Sequence, residues 1–240
     1  MRIRDSTTAD GGTGGGVSPM IAKFLADNMD IPVIIVDVYP SLDEDAAAQY
    51  NAMQWQSEVV ESGLPYMVFD NNSLQAMPKI LRHRMVNDEI VDAMKIIAGA
   101  EFGETNISSI DNRDMYMLLN HLGNRIVVVS DTTRPTVNQT LDKYLENLLN
   151  GKDCTQEIPY DAGGIGIFLK GPKSFLDNAD TSLRELRGVI GEATLQYTHL
   201  EESENFEVAL VISGCTSPNQ RLYMTVSYTH LRAHETVLDL

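Results

Sequence analysis

Apolar positions recur along this chain with two periods, one helical and one strand-like. Ser18 to Met29 (SPMIAKFLADNM) repeats apolar residues at helical spacing, with Pro19 in its first turn, and predicts a helix. Ile31 to Val38 is a β-branched run of the kind buried on both faces of a parallel sheet. A turn around Pro40 follows. Asp43 to Glu61 predicts a helix whose apolar face includes Ala46 to Ala48 and Trp55 to Val60, with Trp55 in the core. Leu64 to Phe69 predicts a second strand, ended by Asp70-Asn71-Asn72. Ser73 and Pro78 then lead into a long helix from about Lys79 to about Gly99.

Beyond a polar loop at 101–110, Asp111 to Leu122 predicts a short helix stopped by Gly123. Ile126 to Ser130 predicts a strand, and Pro135 to Leu149 an amphipathic helix. Residues 150–162 read as a connection between lobes. Strand-like runs at Ile165–Leu169, Glu207–Ile212 and Leu222–Val226 surround one helix near Leu183–Ala193. The expected fold is therefore α/β, a parallel sheet with flanking helices and a long central helix, followed by a smaller α+β unit. The expected divisions are 1–100, 101–226 and a tail at 227–240. That tail (SYTHLRAHETVLDL) breaks the pattern and resembles translated adapter sequence. His230 and His234 within it are given no metal-site reading despite their spacing.

Composition narrows the function classes. With 240 residues, 18 Lys plus Arg against 34 Asp plus Glu, and a net charge of -16, the chain lacks the basic face that sequence-independent nucleic-acid or anionic-membrane binding needs. No apolar run approaches the roughly 20 residues of a bilayer span. Cys154 and Cys215 are too few for a disulfide framework or a four-thiolate zinc site, so a reducing cytoplasm is the expected setting. Cys215 has no nearby base in sequence and reads as a structural thiol in a turn. Glu201, Glu202 and Glu204 read as a solvated loop.

Two stretches carry candidate chemistry. Gly11-Gly12-Thr13-Gly14-Gly15-Gly16 precedes a helix start, and its N–H groups are suited to cradle phosphate oxygens, with Thr13 adding a hydroxyl. It has no G-K-[ST] and no strand pattern ahead of it, so a flexible linker is the competing reading. Asp111 and Asp114 lie three apart at a helix start. They serve either to cap that helix or to polarise a water or hold a cation.

Taken in order, these pieces resemble the tubulin/FtsZ superfamily of filament-forming GTPases over about residues 9–226. The glycine stretch is similar to the signature G-G-G-T-G-[ST]-G. Pro40 and Glu44 match a Pro-x-x-x-Glu turn, Phe69 to Leu74 a strand ending in Asn, Val86 to Ile90 the guanine-reading part of the central helix, and Asp111/Asp114 the Asp-x-x-Asp synergy loop. The resemblance implies GTP, with Mg²⁺, held by Gly11, Gly12, Thr13, Gly14, Gly15 and Gly16. It implies that Glu44, Asn71, His83 and Asn87 contact ribose and guanine, and that Asp111 and Asp114 act on the nucleotide of the next subunit. Self-association would then be head-to-tail, with hydrolysis at the subunit interface, serving cell division, DNA segregation or phage DNA positioning through an adaptor. Neither direct nucleic-acid contact nor membrane insertion is expected.

The chain departs from the signature at Asp10, Gly15, Ser109 and Ala48, which stands where the cell-division proteins carry an Arg. These departures point to the divergent plasmid- or phage-type group. Family members also begin with a region carrying another Gly-rich loop, absent here, so the 240-residue chain is expected to bind GTP weakly or not at all. A non-enzymatic interaction module and another nucleotide-binding α/β protein, such as a dinucleotide-dependent oxidoreductase, are the alternatives.

Overall fold

The computed structural model describes residues 6–8, 12–29, 32–99, 109–120, 125–135, 139–150, 155–159, 161–177, 179 and 195–215. Among these residues, seven strands form one sheet in the order β1-β2-β3-β4-β7-β5-β6. They are β1 (Ser6–Thr8), β2 (Ile35–Tyr39), β3 (Tyr66–Asp70), β4 (Arg125–Asp131), β5 (Gly164–Gly171), β6 (Leu195–Glu202) and β7 (Glu207–Cys215). β1 to β4 run parallel; β7 is antiparallel to both β4 and β5. The helices are α1 (Gly12–Asn28), α2 (Ala46–Ser62), α3 (Lys79–Ile97), α4 (Asn112–Leu119), α5 (Leu141–Leu149) and α6 (Lys173–Leu176).

The β-branched run that becomes β2 is covered on both faces, as its composition requires. Ile34 and Val36 join a core with α3 and α4, whereas Val33, Ile35 and Tyr39 join one with α1 and α2. Trp55 centres the second core: it is 1% exposed and stands edge-on to Tyr39 and Tyr66. Its indole N–H donates to Ser18 Oγ at 3.0 Å, which ties α2 to α1. Local signals set the helix ends. Asp45 caps α2 by accepting from Ala48 N at 2.7 Å, and Gly63 closes it at φ 71°, a conformation open to glycine.

Several expectations are corrected. A three-residue strand, β1, does precede the glycine stretch; its Ser-Thr-Thr sequence carries no apolar signal. The helix after it begins at Gly12 rather than Ser18, so Gly12 to Gly16 form its first turns. β6 was not anticipated. It reads as polar because its side chains are mostly half-buried at the sheet edge, and its Glu201 pairs with Lys170 of β5 at 3.0 Å rather than lying in a loop. α5 starts at Leu141, not Pro135. Cys215 ends β7 rather than sitting in a turn, but it is buried, and burial pushes its thiol up to about 12, so the structural reading holds. The expected elements near 183–193 and 222–226, Asp10, Gly11, Cys154 and the tail lie outside the described residues.

Candidate functional site

Each of the first three parallel strands delivers sequence-selected residues at its C-terminal end. β1 leads to Gly12, β2 to the turn bearing Glu44, and β3 to Asn71. Crevices at the carboxyl ends of parallel strands are where α/β sheets bind ligands. α3 starts at the same end, where Lys79 Nζ lies 3.8 Å from Glu44 Oε2. One turn further on it carries His83, followed by the exposed Asn87.

The site contains buried polar atoms that lack a protein partner. Asn71 is 8% exposed and its Oδ1 accepts nothing; His83 Nε2 is likewise buried and unpaired. Such groups cost free energy unless a ligand or water satisfies them. An amide acceptor and an imidazole nitrogen suit the polar edge or face of a heterocyclic base. Around them the backbone is pinned. Asp70 accepts from Asn72 N at 2.8 Å, and the Asp70 N–H donates to the Thr155 carbonyl at 2.7 Å. The Thr155 hydroxyl in turn donates to Glu89 of α3, whose carboxyl is pushed up by burial against that bond.

Asp111 and Asp114 lie at the other end of the sheet. A cleft of about 480 Å³ is lined by Asp111 and Asn112 together with Val33 and Pro65, which precede β2 and β3, and Ile97, the last residue of α3. Nineteen residues of α3 therefore separate the two ends, about 28 Å at 1.5 Å per residue. The two carboxylates form a capping box. Asp111 Oδ1 accepts from Arg113 N at 2.7 Å and Asp114 N at 2.8 Å, and Asp114 Oδ2 accepts from Asp111 N at 3.2 Å. The capping role is thus realised, and it leaves Asp111 exposed. α4 is seated by glycine: a Cβ on Gly166 would lie 2.5 Å from Leu118 Cδ2, so β5 admits the helix only where side chains are missing.

No family model matches the chain. The tubulin-like protein CetZ2 of Haloferax volcanii is 33% identical over 166 residues, 65% of this chain and 46% of that protein. The chain also superimposes on CetZ from Methanosaeta thermophila with a TM-score of 0.77 and 16% identity, over 96% of this chain and 66% of that one. Over the matched part the chain thus has the fold of these tubulin-like proteins and sequence similarity to CetZ2. A third match is TubZ of Bacillus thuringiensis serovar israelensis, in a structure of GDP-form protofilaments. It has a TM-score of 0.73 and 16% identity over 96% of this chain and 68% of that one. The chain spans under half the length of its CetZ2 relative and about two thirds of these structures.

Sequence reasoning overlooked Arg82 and Ser41. Arg82 is 1% exposed yet ion-paired, and Ser41 is fully buried in the turn that carries Glu44. A basic residue one turn into a helix reads as solvated surface, and only the tertiary contacts reveal otherwise.

Proposed function

We propose that this chain contributes the guanine, ribose and phosphate walls of a filament-forming GTPase, together with the carboxylates that act on the nucleotide of the next subunit. The observation that carries the reading is the placement of the two groups at opposite ends of one sheet, spanned by α3. Residues so separated cannot serve one nucleotide within a chain. In a head-to-tail stack they meet, and a heterologous contact of that kind propagates without closing.

In this reading the N–H groups at the start of α1, Gly12 to Gly16 with Thr13, bind phosphate oxygens, with the helix N-terminus favouring negative charge; Gly11 belongs to the same cradle. Asn71 and Asn87 read the guanine edge, His83 stacks on it, and Glu44 accepts from a ribose hydroxyl. Asp111 and Asp114 of the adjoining subunit orient a water that attacks the γ-phosphorus. The bond to the β–γ bridging oxygen breaks, GDP leaves with that oxygen, and the water's proton passes to a carboxylate or to solvent. Among the described residues no three His, Cys, Asp or Glu side chains converge to hold a metal. Mg²⁺ is therefore expected to arrive on the nucleotide, where it neutralises phosphate charge. Residues 1–100 would form the nucleotide-binding unit, residues 101–226 the unit that meets the next subunit, and residues 227–240 no part of either. No helix among the described residues is long and apolar enough to cross a membrane. A cytoplasmic filament that moves DNA or membrane through an adaptor fits the acidic surface.

The test is nucleotide selectivity. Titrated by ligand-observed NMR up to about 1 mM, GDP is expected to bind at least about tenfold more tightly than ADP, because the buried Asn71 amide left unpaired by the wrong base penalises it. Asn87→Ala should erase the preference. Equal binding of both nucleotides refutes the guanine site.

A further inference from the structure

The turn between β2 and α2 carries three carboxylates, Asp43, Glu44 and Asp45, and no base. Left free, they would repel a polyanionic ligand beside them. Each is engaged instead. Asp45 caps α2. Glu44 Oε1 accepts from Ser41 N at 3.1 Å, with Lys79 near its other oxygen. Asp43 takes Arg82 Nη2 on both oxygens at 3.2 Å, and the Ser41 hydroxyl and the guanidinium hold its carboxyl below the usual range.

Arg82 reaches the turn from α3. Its Nη1 donates to Ser41 Oγ at 3.1 Å. Ser41 is the hub: its carbonyl accepts from Gln49 Nε2 of α2 at 2.7 Å, and its hydroxyl lies 3.5 Å from Asn72 Oδ1, beyond β3. That same oxygen accepts from Leu42 N at 3.1 Å. Three segments, α2, the stretch after β3 and α3, are thereby fastened to one turn. A buried arginine is a poor choice if stability alone matters, since an apolar residue of similar volume avoids the desolvation cost. Arg82 even leaves its Nε buried without a protein partner. What this arrangement supplies is a fixed geometry.

We propose that Arg82 is a positioning residue of the nucleotide site: bonded to Asp43 and Ser41, it locks the turn that carries Glu44 onto the helix that carries His83 and Asn87. The ribose-facing and base-facing walls then hold as one body. The inference rests on the guanine-site reading and deepens it.

The test compares wild type with Asp43→Asn, Arg82→Gln and Arg82→Lys by amide hydrogen exchange and GDP titration. The Asp43 side chain is 51% exposed, so Asp43→Asn breaks the pair without opening a cavity. Exchange at Leu42 and Glu44 should accelerate about tenfold in Asp43→Asn while β4 and β7 keep their rates. GDP affinity should fall about fivefold, and the double variant with Arg82→Gln should bind no worse than Arg82→Gln alone, as for partners in one interaction. Arg82→Lys should recover part of the affinity, keeping the charge but losing the fork. Faster turn exchange with GDP affinity unchanged would show a merely structural contact and overturn the proposal, as would unchanged exchange. Wild type that binds GDP and ADP equally would refute the guanine site itself. The exchange comparison would then still decide whether the lock exists.

Discussion

The two ends of the sheet hold their polar residues in opposite ways. At the C-terminal end, the turn bearing Glu44 is fixed by partners 30 to 41 residues away, Asn72 and Arg82, with Ser41 and Arg82 themselves buried. At the N-terminal end, Asp111 and Asp114 are fixed by bonds reaching no more than three residues, and Asp111 stays in solvent. In the proposed reading, a wall that keeps a shape for a ligand is braced from several elements. In that reading, a pair that presents charge to a neighbouring subunit needs only a local cap on a well-seated helix. One consequence is that damage at the first end should spread through the site, whereas damage at the second should remain chemical.

The sharpest attempt to break that contrast is Asp114→Ala, assayed in a form of the protein that turns over GTP. Turnover should fall by about 10² to 10⁴, the usual worth of a positioned acid–base group, with nucleotide affinity unchanged. Turnover within twofold of the parent would remove Asp114 from the chemistry and leave it a cap. Next in size is Gly166→Ala. The added methyl meets Leu118, so β5 or α4 must shift at a cost of about 1 to 3 kcal/mol, read by chemical denaturation. An unchanged midpoint would mean that α4 is not seated as described. Asp111→Ala should cost about 1 kcal/mol through the lost cap, with GDP binding untouched. Weakened GDP binding there would join the two ends within one subunit and defeat the head-to-tail reading.

The same contrast explains what the sequence disclosed. Helices and apolar strands were legible because burial imposes a period: α3 and β3 fall within two residues of their expected bounds. The helix cap at Asp111 was legible as one of two readings because it lies at the helix start, within three residues of its partners. β1 was not, since three polar residues gain their strand character only by pairing with Val36 to Val38. β6 was hidden for a related reason, being a sheet-edge strand with half-buried polar side chains. The order and spacing of motifs singled out Glu44, Asn71, His83 and Asn87 through likeness to a family; only the folded sheet shows that the elements bearing them start from one end. Arg82 had no signal at all, because its partners, Ser41 and Asp43, lie about forty positions away.

The smallest expected effect probes the braced end by pH. Asp43 titrates below the usual carboxylate range in the folded chain, so its contribution is present above the unfolded value of about 3.9 and is lost as pH falls through the lower folded value. Between pH 7 and pH 5 the exchange of Leu42 and Glu44, corrected for intrinsic rates, should therefore stay constant relative to β4. Below about pH 4 it should rise as Asp43 takes up a proton and Arg82 loses its partner. In Asp43→Asn the rise should be absent, because exchange is already fast at neutral pH. A rise of equal size in the variant would place the acid sensitivity in another carboxylate. The turn would then be held by Ser41, Gln49 and Asn72 without help from the ion pair.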